Sequence, residues 1–196
     1  MFIVLDWDID VKRYLLRCME GLPEEDRPKR CGFCCSERRP HRHGKFMRSL
    51  YTVSDFFRIP IFRFLCFECR KSFCVVPSFV ESYHQSGVDV KETVIQQVTD
   101  GCSIAEAAES SSDLAGGHYA EKTLWRWRKR WQERLDRHEV QLWRHLIHQG
   151  MERPLPRERH SRWRALRVAW TRSRSDKTLF QALLRLDRSP ILSCGG

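Results

Sequence analysis

No apolar run in this 196-residue chain approaches the roughly 20 residues that a membrane-crossing helix needs. A spanning segment is therefore not expected. A secretory leader is not expected either. The apolar run Met1-Phe2-Ile3-Val4-Leu5 ends at Asp6 and has no basic residue ahead of it. These absences bear on the nine cysteines. In a secreted chain they would point to a disulfide framework; in the cytoplasmic chain expected here, paired cysteines point to metal. A βαβ pattern beside a Cys-x-x-Cys pair, which a thioredoxin-like redox motif needs, is also missing. The chain shows no internal repeat. Between residues 75 and 121 it is nearly devoid of positive charge, with one lysine against eight acidic side chains.

Elsewhere basic charge dominates. The formal net charge is +10, which favours a polyanionic partner. Residues 1–30 are close to balanced, with 6 basic and 7 acidic side chains. Residues 31–74 carry 9 basic against 3 acidic, and residues 122–188 carry 19 against 7. Two basic blocks thus flank an acidic one. A charge run is usually only a solvated face, but here the blocks fall on motifs suited to nucleic acid.

The first motif is a pair of pairs, Cys31-Gly32-Phe33-Cys34 and Cys66-Phe67-Glu68-Cys69. Each offers two thiolates from one tight turn, and two such turns close a tetrahedral zinc site. Four cysteines leave no open position for a catalytic water. Cys35, His41 and His43 lie close enough in sequence to replace a ligand, but the two-residue gap favours Cys31 with Cys34. Between the pairs, His43–Tyr51 and Phe57–Leu65 read as the two strands of a hairpin with Asp55 near its turn. Pro60 marks the return strand as an edge. Phe73–Val76 adds a short third strand. A module of this size buries little apolar surface, so the metal is expected to supply much of its stability.

The second motif is helical. Val90, Val94, Ile95 and Val98 recur at helical spacing from Val88 onward, and Asp100-Gly101 ends the run. Ser103 and Glu106 form a capping box for a second helix with Ile104, Ala107 and Ala108 inside. After a small, flexible loop at 110–117, a third helix is expected from Tyr119 to His138, continuing or restarting through Val140–His148. Leu124, Trp127, Trp131 and Leu135 line one side; Arg126, Lys129, Arg130 and Glu133 line the other. That order is the order of a helix-turn-helix domain. In a recognition helix the N-terminal side chains meet base edges and later ones meet phosphate, which nominates Lys122, Thr123 and Arg126 for the groove and Lys129 and Arg130 for the backbone.

The expected fold class is α+β. A lead with a helix spans 1–30, where Leu15, Leu16 and Met19 form the expected apolar face. A zinc ribbon, a β-hairpin with a four-cysteine zinc site, spans 31–78. A helix-turn-helix spans 88–138, and a basic helical extension spans 139–188 with helices near 162–172 and 177–186. A disordered tail fills 189–196.

The stretch Arg63-Phe64-Leu65-Cys66-Phe67-Glu68-Cys69-Arg70-Lys71-Ser72-Phe73 resembles the closing knuckle of zinc ribbons in bacterial insertion-element transposases. The wider layout over residues 31–135, with His43-Gly44, Val76-Pro77-Ser78-Phe79 and Thr123-Leu124-Trp125-Arg126-Trp127, is similar to an uncharacterised bacterial domain family linked to mobile elements. The resemblance implies double-stranded DNA binding in transposition or its regulation, at the nucleoid, with a transposase catalytic subunit as a second partner. The family's nuclease needs three carboxylates on a sizeable α/β fold. After Arg137 the chain is short, basic and helical, and Glu152, Glu158, Asp176 and Asp187 read as solvated charges. The expectation is an accessory or regulatory DNA-binding protein without enzymatic activity. A zinc-ribbon RNA- or ribosome-associated protein, and the DNA-binding half of a split transposase, are the alternatives.

Overall fold

The structure, a computed structural model, describes residues 2–4, 9–152, 158–173, 175 and 177–188. Among them are four strands and six helices: β1 (Phe2–Val4), α1 (Val11–Arg17), β2 (His41–Tyr51), β3 (Phe56–Leu65), β4 (Ser72–Val76), α2 (Val88–Thr99), α3 (Ile104–Ser110), α4 (Glu121–His148), α5 (Arg159–Arg172) and α6 (Leu179–Arg188). The fold is mixed α+β. The tail expected from residue 189, and with it Cys194, lies outside the described residues, as do Pro154, Pro156 and Asp176.

The strands form one sheet in the order β1-β4-β3-β2. β2 and β3 are an antiparallel hairpin closed at Thr52–Asp55, where the Thr52 N–H donates to the Asp55 carbonyl at 2.9 Å. β4 pairs antiparallel to β3, and β1 joins β4 in parallel, Phe2 opposite Cys74 and Val4 opposite Val76. The expectation that Pro60 makes β3 an edge strand is corrected: β3 is an interior strand. β4 reaches only from Phe62 to Leu65 along it, so Pro60 lies beyond β4's end. Its carbonyl faces α1 instead and accepts the Tyr14 hydroxyl at 2.5 Å. A residue without an N–H is tolerated at a place where no ladder partner asks for one.

α1 is capped by Asp10, whose carboxylate accepts the Arg13 N–H at 2.8 Å. Its expected apolar face is corrected in part: Leu15 packs against the core. Leu16 and Met19 are exposed, 68% and 74%, while Tyr14 and Cys18 are buried. Tyr14 and Cys18 stand four apart on one side of the helix. The Tyr14 hydroxyl has a carbonyl to meet, so the aromatic goes inward.

The helices follow the apolar periodicity closely. α2 buries Val88, Val90, Val94 and Ile95. α3 carries the full capping box, with Glu106 N–H to Ser103 Oγ at 3.1 Å and Ser103 N–H to Glu106 Oε2 at 2.7 Å. α4 runs 28 residues without a break, about 42 Å at helical rise. Its buried stripe of Leu124, Trp127, Trp131 and Leu135 continues through Leu142, Trp143 and Leu146. α4 begins after Tyr119, whose ring packs on Trp127 with centroids 4.9 Å apart. The 110–117 loop, expected to be flexible, is pinned: Ser111 Oγ accepts the Tyr119 N–H at 2.9 Å and donates to the Ala108 carbonyl at 2.6 Å. α6 closes over α4, with Phe180 stacked on Trp131 at 4.1 Å. α6 starts at Leu179 rather than 177 because Thr178 caps it: the Gln181 N–H donates to Thr178 Oγ1 at 3.3 Å and the Thr178 N–H donates to Gln181 Oε1 at 3.1 Å.

Sheet and helices share one apolar core running from Phe64 and Phe73 to Trp143 and Leu183. At their junction lies a buried ionic network. Glu81, in the connector after β4, meets Lys91 of α2 at 2.5 Å and Arg134 of α4 at 2.8 Å. Arg134 also meets Asp187 of α6 at 2.7 Å, and His138 Nε2 lies 2.9 Å from the same carboxylate. Burial works to raise the Glu81 carboxyl, but the Lys91 and Arg134 charges win and hold it down at about 2. Asp187, expected as a solvated charge, is therefore a structural anchor. Arg48 of β2 donates to the backbone carbonyls of Glu81, at 2.8 Å, and His84, which ties the sheet to the same connector.

Candidate functional site

The two cysteine pairs come together at the end of the sheet away from the helices. Cys31, Cys34, Cys66 and Cys69 place their sulfurs within 4.8 Å of one another. The Cys31–Cys69 and Cys34–Cys66 sulfur separations are both 3.7 Å. A disulfide would need about 2.05 Å. Thiolates about 2.3 Å from a central ion define a tetrahedron with edges of about 3.8 Å. The donor set and its spacing therefore fit a four-coordinate metal. Cys35, His41 and His43 are not part of the cluster.

The two turns are built alike. The Cys31 N–H donates to the Ser36 carbonyl at 3.2 Å, and the Cys66 N–H donates to the Lys71 carbonyl at 3.1 Å. The residue after each second cysteine, Cys35 and Arg70, takes the left-handed conformation with φ of 56° and 53°. This conformation, uncommon away from glycine, turns the chain so that backbone N–H groups converge on sulfur. Phe33 N–H points at Cys31 Sγ at 3.3 Å. The N–H groups of Cys69 and Glu68 draw the Cys66 thiol down to about 7, whereas burial pushes Cys31 up to about 12. A bound cation would deprotonate both outright.

The five side chains nominated on α4 divide. Lys122, Arg126 and Lys129 are exposed on the side opposite Leu124, Trp127 and Trp131, and Thr123 is half-buried. Lys129 lies over the ring of Trp125, 5.5 Å from its centroid, and Trp125 is itself 52% exposed. Arg130 is exposed but engaged: its Nη1 meets His84 Nε2 at 2.9 Å and Glu81 at 3.5 Å. Burial and the nearby Lys91 charge push the His84 imidazole down to about 4, so it is neutral at pH 7 and accepts from Arg130. α2 and α3 pack against α4 and against each other. They leave the face bearing Lys122, Arg126 and Lys129 to solvent.

Sequence reasoning missed three things here. It gave the charged side chains of the acidic 75–121 block no structural role, but Glu81, Lys91 and Glu92 are buried. The signal was Lys91 itself, the one base in an acidic stretch on the apolar side of α2. It passed over His84, the link between Arg130 and the connector. It also did not weigh the half-exposed rings of Phe46 and Phe67 or the exposed ring of Tyr83. Among the described residues no helix is long and apolar enough to cross a membrane. Comparisons of the chain with protein-family models, with curated proteins and with solved structures find no match.

Proposed function

We propose that this protein is a zinc-containing, sequence-directed DNA-binding protein of a mobile genetic element, acting as an accessory or regulatory subunit. One observation carries the reading: α4 presents Lys122, Arg126 and Lys129 to solvent as one basic face, while its opposite stripe is locked into the core. The helix is rigid because Trp127 and Trp131 are buried, and exposed because α2 and α3 leave its outer side free. A preorganised basic helix behind two shorter helices is suited to the major groove of a duplex. In this reading α2, α3 and α4 are a helix-turn-helix, and β2, β3 and β4 with the four cysteines are a zinc ribbon. All-thiolate tetrahedral coordination favours zinc, and such a closed site is structural. The mobile-element assignment rests on the resemblance of the Cys66–Cys69 knuckle to insertion-element transposases.

The test is binding of the whole protein to selected and scrambled duplexes across salt. Arg126→Ala is expected to lower specific affinity by roughly 1–3 kcal/mol and relax preference at one base step. Lys129→Ala is expected to weaken all duplexes alike and reduce the salt slope by about one. If a folded protein carrying either change keeps wild-type affinity and salt dependence, α4 is not the reading head. Tighter binding to structured RNA than to any duplex would favour the RNA-associated reading. The protein is further expected to leave supercoiled DNA intact in magnesium or manganese; nicking abolished by a single carboxylate substitution would refute that.

A further inference from the structure

The strand register places a second set of aromatic and basic side chains on one face of the sheet. His41 stands opposite Leu65, Gly44 opposite Arg63, Phe46 opposite Ile61 and Arg48 opposite Ile59. Directly opposed residues share a face, so His41, Arg63, Phe46 and Arg48 lie along one side. His43 is the extra residue of a bulge beside Gly44, whose φ of 113° few other residues adopt. Without the bulge, His41 would point to the other side. The far half of this face is covered by the connector that Arg48 binds. The half nearer the metal is open: His41, Phe46, Arg63 and Phe67 are all exposed.

The open rings are each paired with a cation. Arg63 lies over Phe46 at 5.8 Å, and Arg38 lies over Phe67 at 5.6 Å, with His41 edge-on to Phe67 at 4.1 Å. Phe46 and Arg48 are two apart along β2, about 6.7 Å, and Arg63 reaches the Phe46 ring from the paired strand. The row is continuous with α4. Arg48 follows Phe46 on the same face and binds the His84 carbonyl; His84 meets Arg130, and Arg126 is one turn further along α4. Tyr83, beside His84, is 86% exposed with φ of 64°, a costly backbone for a bulky residue. It displays a third ring where the sheet face meets the helix.

We propose that the open half of this sheet face is a binding site for single-stranded DNA, with unpaired bases stacking on Phe67 and Phe46, the backbone following Arg38 and Arg63, and the strand running past Tyr83 toward α4. Duplex DNA presents phosphates outward and keeps its bases stacked, so it offers these rings nothing. An unpaired strand offers both a π-face to each ring and a phosphate to each cation. The 31–74 segment, with 9 basic against 3 acidic side chains, has the matching charge. The sheet site stands by itself; its continuity with a duplex on α4 rests on the function proposed above, and together they select a junction between duplex and single strand.

The test uses the whole, metal-loaded protein in fluorescence anisotropy at one fixed salt. Its probes are a blunt duplex, the same duplex with a tail of about ten nucleotides, and the tail alone as DNA and as RNA. The tail is expected to improve duplex binding about tenfold or more, and the free DNA strand to bind at least as well as the RNA. The double variant Phe46→Ala with Phe67→Ala is expected to abolish the gain and leave blunt-duplex affinity unchanged. Phe46→Leu with Phe67→Leu keeps apolar bulk without a ring, and it is expected to lose the gain with thiolate–metal absorption intact. No gain from the tail, a gain that survives the leucine variant, or a clear preference for RNA each overturns the proposal. Binding of the free strand that needs both rings, without any duplex binding, upholds the sheet site and removes the reading of α4.

Discussion

The metal end of the sheet and the helical half of the molecule are held by different forces. In β2 the seven residues His41 to Met47 are all exposed. That end is held by the four-sulfur cluster, by a small stack of Phe64 on Phe73, and by Arg27 and Arg42 donating to the Pro40 and Leu22 carbonyls. The helical half buries Trp131, Trp143, Leu146 and Leu183 almost completely and adds the Glu81–Lys91–Arg134–Asp187 network. A metal held by the four thiolates would order both turns without burying the side chains around them. Apolar packing instead fixes α4 along its buried stripe and leaves its outer face exposed. The network sits where the two regimes meet: Glu81 in the connector binds α2 and α4, and Arg48 of the sheet binds the connector's backbone.

The largest expected effect is on the metal end. Cys66→Ser should lose the ion and unravel the two turns, because metal binding in small zinc modules is worth about 10–16 kcal/mol of folding free energy. Cys102→Ser, at an exposed cysteine outside the cluster, should retain it. Metal analysis with far- and near-ultraviolet circular dichroism checks this, and the tryptophan environment of the helical half should survive in Cys66→Ser. Full metal retention would break the comparison at its root.

Next comes the helical half. Trp131 is fully buried, stacked on Phe180 and covered by the Arg134 guanidinium 4.4 Å from its ring. Trp131→Ala is expected to cost about 3–5 kcal/mol in denaturant unfolding. If the two ends are separately held, thiolate–metal absorption should persist at denaturant concentrations where the helical signal has gone. Loss of both signals at one midpoint would show a single cooperative unit.

The smallest effect concerns pH and sharpens the picture of the core. Burial pushes the Glu92 carboxyl up to about 7 from its usual 4.5, and the Phe180 N–H donates to it at 3.3 Å. Below about pH 4 the folded and unfolded chains both hold this proton, so it does not affect stability. Between about 4.5 and 7 the unfolded chain ionises first, which favours unfolding as pH rises; above 7 the penalty is constant. Glu92→Gln should therefore stabilise the protein by up to roughly 3 kcal/mol at pH 8 and by little at pH 4. Equal melting shifts at the two pH values would contradict this.

Much of the site was legible because its chemistry is local. The capping box of Ser103 and Glu106, the stripe from Leu124 to Leu135 and the two Cys-x-x-Cys turns are short-range patterns, and each stands where its spacing placed it. Failures came where a distant partner decided. Leu16 points outward and Tyr14 inward because a carbonyl of β3 waits for a hydroxyl. Pro60 sits in an interior strand because β4 stops short of it. Asp187 looked solvated until α6 laid it against Arg134 and His138 of α4.

By itself, then, the sequence determined the helices, the hairpin and the identity of the four clustered thiols, since backbone propensity, apolar period and ligand spacing act within a few residues. Only the tertiary structure decided that β1 would complete the sheet, that Arg48 and Arg130 would meet at one connector, and that Phe46, Arg63 and Phe67 would share an open face. Those outcomes depend on strand register and on which charges the fold brings within a few ångströms of one another, and neither is encoded in any short stretch of chain.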